Sequence, residues 1–433
     1  MISNFISQLP NPIAIVGMAI TGEAVFNLLV NIGYDKKNIF RYDDKKQDQS
    51  DFKNYQDLIT IGKPKTLCVS PGVPLTTPWI QKALSEGCVL TSELEIAQSL
   101  LTTEKIVAIT GSIGKSTTTA LIGHALQTYL PDTFMGGNLG TPLAQYVLEA
   151  RQQKRQLAPW IALELSSYQL ENYKNLKAEV GIFTYLTANH LERYPDKNSY
   201  YQAKWNMHSH ISKKIILNSN GGDLKEWSTH HSDKIKIDMI WTDRHLDLIK
   251  KYNLSECELI GSHNQDNIAL AAAFLKYINA PEVAFQTLKK FKGLSHRVEN
   301  LGFIGNIRYI NDSKATTIES VITATLSSLE TVPHDKHLWL LIGGRDKNLP
   351  WQDLQILKNN SQIKFVFFGE CSSIAKEKSQ LPGPSFETLK VMLAQIKCSF
   401  QDGDSVLLSP GGTSLDEFKN FEDRGNFFKQ QVY

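Results

Sequence analysis

The sequence predicts an α/β chain of parallel sheets with helices on both faces, in three domains. Three observations predict it. Short apolar runs, among them Ile13–Val16, Ile106–Thr110 and Leu338–Ile342, have the length of buried strands. Gly-bearing loops close such runs and helical patterns follow, the strand–loop–helix order that builds parallel sheets. The 433 residues exceed one domain, since a domain takes roughly 150.

Residues 1–92 form the first predicted unit. Strand Ile13–Val16 leads into a loop over Gly17–Gly22, and a helical pattern runs on to Val30. Asn38–Tyr42 and Leu67–Val69 read as the next strands, the latter ended by the turn Ser70-Pro71-Gly72-Val73-Pro74. The second unit, 93–294, has strands at Ile106–Thr110, Trp160–Leu165 and Val180–Thr184, and a helix over His263–Ile278. The stretch Asn218–Lys236 is polar and reads as a surface excursion. In the third unit, 295–433, Ile318, Val321, Ile322, Thr325, Leu326 and Leu329 make an amphipathic stripe. Leu338–Ile342, Phe365–Phe368 and Val406–Leu408 are strand-like. In such sheets ligands bind at the loops after strand C-termini.

Composition narrows the function classes. Lys plus Arg is 46 and Asp plus Glu 44, so the surface lacks the basic excess of a polyanion binder. Five scattered cysteines form no CxxC pair, which predicts reduced thiols rather than a zinc site or disulfide framework. No Lys or Arg precedes Lys36, so a signal peptide has no basic n-region. No apolar run reaches the roughly 18 residues that span a bilayer. These readings predict a cytoplasmic protein with no nucleic acid and no membrane insertion.

The strongest local signal is Gly111-Ser112-Ile113-Gly114-Lys115-Ser116-Thr117, placed after a strand and opening a helix. There backbone N–H groups and the helix N-terminus can hold phosphate oxygens. Lys115 would reach the β/γ-phosphates and Ser116 would ligate Mg²⁺. The bland alternative, a tight turn with a surface lysine, does not account for a GK pair followed by four hydroxyl residues.

At this loop the chain resembles the Mur ligases, ATP-dependent amide ligases that build the peptidoglycan stem peptide. The resemblance rests on TGSIGKST at 110–117, GGNLG at 136–140, ELSSYQLE at 164–171, NHLERYP at 189–195, GSHNQDN at 261–267, GLSHR at 293–297, NDSKAT at 311–316 and SLDEFKNFEDRG at 414–425. It covers essentially the whole chain. ELSSYQLE and SLDEFKNF point to the D-glutamate-adding branch, and the DNPR motif of the diaminopimelate/lysine-adding branch is absent.

The resemblance implies a Rossmann-like UDP-binding first domain, a P-loop ATPase-like central domain and a Rossmann-like C-terminal domain. It implies metal-shell roles for Ser116, Glu164, His190 and Lys204, with Lys204 carbamylated. Alone, Glu164 reads as a strand-end charge and Lys204 as a solvated helix lysine. Lys115, Lys204 and His190 are the implied catalytic residues. Asn264 and Asn267, spaced i, i+3, would contact adenine; their plain alternative is N-capping. Arg297 and Asp312 would reach the nucleotide from the third unit.

Ile20, Thr21, Asp43, Asp44, Lys45, Ser70, Pro71, Gly72 and Asn138 are the implied UDP-substrate site. Asp44-Lys45 stands where well-known members have Thr-Arg, and Asn189 where Asp is common. A dinucleotide fingerprint over Gly17–Gly22 is disfavoured by Ala19, where a pyrophosphate must approach the backbone. For D-glutamate the resemblance implies Lys314, Thr316, Lys347, Ser414, Leu415 and Phe421, with Arg193 orienting the amino acid. A dicarboxylate needs such convergent donors. The expectation this resemblance implies is a monomeric ligase of small-molecule substrates that uses ATP and Mg²⁺ to activate a carboxylate as an acyl phosphate, its third domain closing over the nucleotide. Folylpolyglutamate synthase shares this chemistry but begins nearer its phosphate loop. An ATP-driven switch would need no acidic-amino-acid pocket.

Overall fold

A computed structural model describes residues 3–175, 177–190, 193–231 and 236–433. The chain is α/β, as its pattern predicts, and is organised on three sheets. The first contains β1 (Ile13–Val16), β2 (Ile39–Tyr42), β3 (Thr66–Val69) and β4 (Val89–Thr91), all parallel, in the order β2-β1-β3-β4. Strands β1 and β3 are buried throughout, which is why they read as continuous apolar runs. The order reverses at β1, opening a crevice at the carboxyl ends of β1 and β3.

The second sheet contains β5 (Lys105–Thr110), β6 (Phe134–Gly137), β7 (Trp160–Glu164), β8 (Ala178–Phe183), β9 (Ile211–Asn218) and β10 (Asp238–Thr242). Its order is β10-β9-β8-β5-β7-β6, again all parallel. Here the order switches at β5, the strand that carries the phosphate loop. Both sheets belong to one compact unit, residues 1–252 with 266–288. One apolar core joins them: Val25, Leu28 and Leu29 of the helix Ile20–Asn31 cluster with Leu94, Ile96, Leu143 and Val147. Ser92 caps the short helix Glu93–Gln98 between the sheets. The buried Glu93 carboxylate accepts the Ala144 N–H at 2.5 Å, at the start of the helix Leu143–Arg151.

The other compact unit is residues 253–265 with 289–433. Its sheet contains β11 (Glu299–Ile304), β12 (Ile307–Asn311), β13 (Leu338–Gly343), β14 (Ile363–Phe368), β15 (Ser385–Phe386) and β16 (Ser405–Gly411). The order is β11-β12-β16-β13-β14-β15. All pairs are parallel except β11 with β12. The stripe from Ile318 forms the helix Ile318–Leu329, capped by Thr317.

The structure differs from the sequence reading in three places. The loop after β1 is shorter than Gly17–Gly22, because the helix Ile20–Asn31 begins at Ile20. Gly22 sits inside that helix because a Cβ there would lie 2.1 Å from the Gly17 carbonyl oxygen. The stretch 218–236 is not all excursion: it contains the helix Leu224–His231, whose Leu224 and Ser228 are buried, while residues 232–235 lie outside the described residues. The antiparallel β11 departs from the all-parallel expectation; its polar and glycine-bearing sequence suits an edge.

Candidate active site

The phosphate loop is shaped by what a side chain would strike. A Cβ at Gly111 would come within 2.1 Å of Thr184 Oγ1, so the loop lies directly on the end of β8. Ser112 donates its N–H to the Tyr185 carbonyl at 2.6 Å and its hydroxyl to the Thr187 carbonyl at 2.8 Å. Gly114 has φ +86, which favours glycine, and a Cβ there would meet Asn267 Oδ1 at 2.4 Å. The helix Lys115–Gln127 then opens with no side chain capping its first N–H groups, leaving its N-terminus suited to an anion. Lys115 Nζ donates to the Ser112 carbonyl at 3.0 Å. Ile113 and Thr117 belong to the same turn, and Ser116 is buried in it.

Beside this loop stand buried charges. Glu164, at the end of β7, is almost fully buried. Its Oε1 accepts from Asn138 Nδ2 at 2.5 Å, and its Oε2 has no hydrogen-bond partner. Such a buried oxygen is costly unless something polar reaches it. Asn138 is held there by its own N–H, which donates to the Glu164 carbonyl at 2.9 Å. Lys204, in the helix Lys197–Trp205, is equally buried, contrary to its reading as a solvated lysine. Burial holds its ammonium well below the usual lysine range, nearby Lys115 adds to this, and Glu164 opposes it. Its Nζ lies 4.6 Å from the Tyr200 ring centroid. His190 adopts φ +57, and its Nδ1 shares a 2.8 Å hydrogen bond with the Tyr168 hydroxyl. Leu191 and Glu192 of the same motif lie outside the described residues.

Ile20, Thr21, Asp43, Asp44, Lys45, Ser70, Pro71, Gly72 and Asn138 surround one cavity of about 580 Å³ at the carboxyl ends of β1, β2 and β3. Several of their side chains shape the cavity itself. Asp43 accepts N–H groups from Met18 at 2.7 Å, Lys45 at 2.8 Å and Lys46 at 3.0 Å. Burial would raise its pKa, but these N–H groups outweigh it and the carboxyl sits below the usual range. Ser70 Oγ donates to the Gly17 carbonyl at 2.7 Å. Asp44 accepts from the Tyr42 hydroxyl. Trp79, which the sequence reading did not single out, also lines the cavity, stacked on Tyr55 and edge-on to Tyr42. Its aromatic partners are distant in sequence, so no local pattern marks it.

In the C-terminal unit, Asp312 follows β12 and accepts from Ser409 Oγ at 2.8 Å and the Val298 N–H at 3.1 Å. Burial pushes its carboxyl up to about 7, against those bonds and the charges of Arg297 and Arg424. Lys314 Nζ lies 4.6 Å from the Phe421 ring centroid. Ser414 is buried, Thr316 half-buried, and Leu415 and Lys347 exposed. The loop after β13 that carries Lys347 is tied to the loop after β16 by Arg345 and Thr413, which exchange N–H···O bonds at 2.8 and 2.9 Å.

Sequence reasoning missed Arg424, which is fully buried in the helix Phe421–Val432. It donates to Ser313 Oγ and to the carbonyls of Ser313 and Gly412, binding together the loops beside Lys314 and Ser414. Burial pulls its pKa down to about 10. A signal was present: Arg424 lies three residues from Phe421 and four from Phe428, on the helix's apolar face. Arg193 bonds Glu171 at 2.7 Å and the Pro71 carbonyl at 3.0 Å. Asn264 Nδ2 donates to the Ile260 carbonyl at 2.7 Å, and Asn267 Oδ1 accepts from Thr118 Oγ1 at 3.3 Å.

Among the described residues, no group of three or more His, Cys, Asp or Glu could hold a metal ion. A cation here would therefore complete its shell with hydroxyl, water or phosphate oxygens, as Mg²⁺ commonly does. The orphaned Glu164 oxygen and the Ser116 hydroxyl fit such a shell.

A phosphate loop at a sheet's switch point, buried charges beside it and a cavity sharing Asn138 define a nucleotide-using α/β enzyme. Residues 109–275 match the Mur ligase middle domain. The UDP-N-acetylmuramoylalanine–D-glutamate ligase of Leuconostoc citreum is 33% identical over 401 residues, covering 88% of this chain and 86% of that one. The enzyme of the same name from Oenococcus oeni is 30% identical over 440 residues, covering 97% and 96%. The chain belongs to the Mur ligase family, whose members use ATP. The MurF ligase of Thermotoga maritima, solved in complex with ADP, shares the fold with a TM-score of 0.58 at 13% identity over 82% of this chain and 91% of its own. The UDP-N-acetylmuramate–alanine ligase of the same organism gives 0.55 at 14% identity over 98% and 100%.

Proposed function

We propose that the protein adds D-glutamate to UDP-N-acetylmuramoyl-L-alanine, forming ADP and phosphate, in cytoplasmic peptidoglycan precursor synthesis. The observation that carries this reading is Asn138. It lines the cavity and also bonds Glu164 beside the phosphate loop. A UDP-linked substrate seated in the cavity would thus reach toward the γ-phosphate of ATP. The near relatives named for D-glutamate ligation support the choice of amino acid.

The alanyl carboxylate oxygen attacks the γ-phosphorus as the bond to ADP breaks, giving an acyl phosphate. Lys115 and the helix N-terminus stabilise charge on the transferred group. The D-glutamate amine then attacks the acyl carbon, phosphate departs, and the amine loses a proton. Gly111–Thr117 hold the nucleotide phosphates, with Asn264, Asn267, Arg297 and Asp312 serving ATP recognition. Lys314, Thr316, Lys347, Ser414, Leu415 and Phe421 receive the amino acid, its carboxylates attracted by the lysines. Mg²⁺, held by Ser116, Glu164 and His190 with Lys204, would supply electrostatic stabilisation of phosphate charge. Burial disfavours the ammonium form of Lys204, which suits its amine to adding CO₂ with loss of a proton, forming a carbamate.

The working unit is a monomer, which sedimentation at micromolar concentration tests. No helix among the described residues is long and apolar enough to cross a membrane. The deciding experiment measures phosphate release with each substrate omitted in turn and with a panel of amino acids. Release is expected only with the UDP-linked substrate and D-glutamate together. Release lacking either, or equal rates across the panel, sinks the reading.

A further inference from the structure

We propose that Arg193 is a positioning residue that couples the rim of the UDP-substrate cavity to His190. The proposal rests on the reading of that cavity as a substrate site. It stands on a continuous chain of contacts. The Arg193 side chain is 11% exposed. Nη1 donates to the Pro71 carbonyl at 3.0 Å, and Pro71 lines the cavity. Nη2 donates to Glu171 Oε2 at 2.7 Å, which balances the charge. The guanidinium carbon lies over the Tyr168 ring, 4.1 Å from its centroid. The hydroxyl of Tyr168 bonds His190 Nδ1 at 2.8 Å. The backbone closes the circuit, since the Arg193 N–H donates to the His190 carbonyl at 3.0 Å.

Each link has a physical reason. Only a planar fork can grip a carbonyl and a carboxylate while keeping its charge over a ring, so lysine cannot replace it. The Tyr168 hydroxyl, which can donate to or accept from His190 Nδ1, holds how the ring is turned. Seating the substrate against Pro71 therefore orders Arg193, then Tyr168, then His190. The same geometry argues against direct use of Arg193 on an amino-acid carboxylate. Its two terminal nitrogens already serve Pro71 and Glu171, and Glu171 offsets its charge.

The test uses the full chain, with Arg193→Lys and Arg193→Ala beside the wild type. Binding of UDP-N-acetylmuramoyl-L-alanine is measured by calorimetry, with a non-hydrolysable ATP analogue present. The His190 imidazole signal is followed by NMR during the same titration, its assignment made by loss of that peak in His190→Gln. Losing one charge-assisted bond at the rim should weaken UDP-substrate binding about tenfold. The His190 response to that substrate should vanish in both variants. In turnover, KM for the UDP-linked substrate should rise while KM for D-glutamate stays within about twofold. A raised KM for D-glutamate with unchanged UDP-substrate binding overturns the proposal. So does a His190 response that persists in Arg193→Lys. If Arg193→Ala does not fold, Arg193→Lys carries the same test. Wild-type protein that binds the UDP-linked substrate but does not ligate D-glutamate would count against the proposed reaction, and the binding and NMR readouts would still judge Arg193.

Discussion

Replacing Glu93 with Gln should make the compact unit 1–252 with 266–288 more stable at pH 8 and leave it nearly unchanged at pH 5. Glu93 is buried at the start of the helix Leu143–Arg151. Burial raises its carboxyl from an ordinary 4.5 to about 7, while the Ala144 and Leu143 N–H groups pull it back. The folded chain therefore keeps this proton to a higher pH than the unfolded chain does. Its contribution is fully present below about 4.5 and is lost as pH rises through about 7. At about 1.4 kcal/mol per tenfold, that gap corresponds to about 3 kcal/mol. Gln cannot ionise, yet its amide oxygen can still accept the Ala144 N–H. The assay is urea unfolding from pH 5 to 8, followed by hydrogen exchange in peptides covering 143–151. Those peptides report on the compact unit that contains Glu93 and not on the buried Asp312 of the other, which is also raised to about 7. The variant should gain up to about 3 kcal/mol over the wild type as pH rises through this window. Parallel profiles across the whole range would refute the reasoning.

Three further perturbations probe the site. Lys115→Ala should lower phosphate release by about 100- to 1000-fold while leaving UDP-substrate affinity within about threefold; normal turnover would remove Lys115 from phosphoryl transfer. Lys204→Ala should be nearly inactive and partly restored by added short carboxylates, and wild-type activity without them would count against a structural carbamate. Gly114→Ala places a side chain at φ +86 and within 2.4 Å of Asn267 Oδ1. It should cost at least about 1–2 kcal/mol and raise KM for ATP, measured by thermal unfolding and by ATP titration; unaltered values in both would show that the loop has room to relax.

The sequence made legible what is local. The phosphate loop follows directly from β5, and its glycines have φ values and neighbours that a Cβ would not allow. The cavity residues were named through the family resemblance, and topology explains why they gather: nearly all lie just past β1, β2 and β3, where a parallel sheet exposes its loops. Strand β6 was missed because half of its residues are glycine, and the Leu224–His231 helix because polar residues outnumber its buried ones. The deeper failures concern distance along the chain. Lys204 looks like a surface lysine until the fold buries it. Arg193 meets a carbonyl 122 positions away, and Arg424 a hydroxyl 111 positions away. No periodicity or spacing encodes such pairs.

The apolar core that joins the first two sheets bears on how this protein can change over evolution. The helix Ile20–Asn31 packs on the helix Leu143–Arg151, and both contribute to the same core cluster. Their N-termini also line one cavity, through Ile20, Thr21 and Pro142. Residues 1–92 are thus not a cassette that could be exchanged for the equivalent piece of another ligase. A transplanted sheet would meet Leu143 and Val147 with a mismatched surface, leaving gaps that a close-packed interior penalises. The proposed substrate site on the first sheet and the proposed phosphate-transfer site on the second must drift together, each substitution on one helix selected against the face of the other.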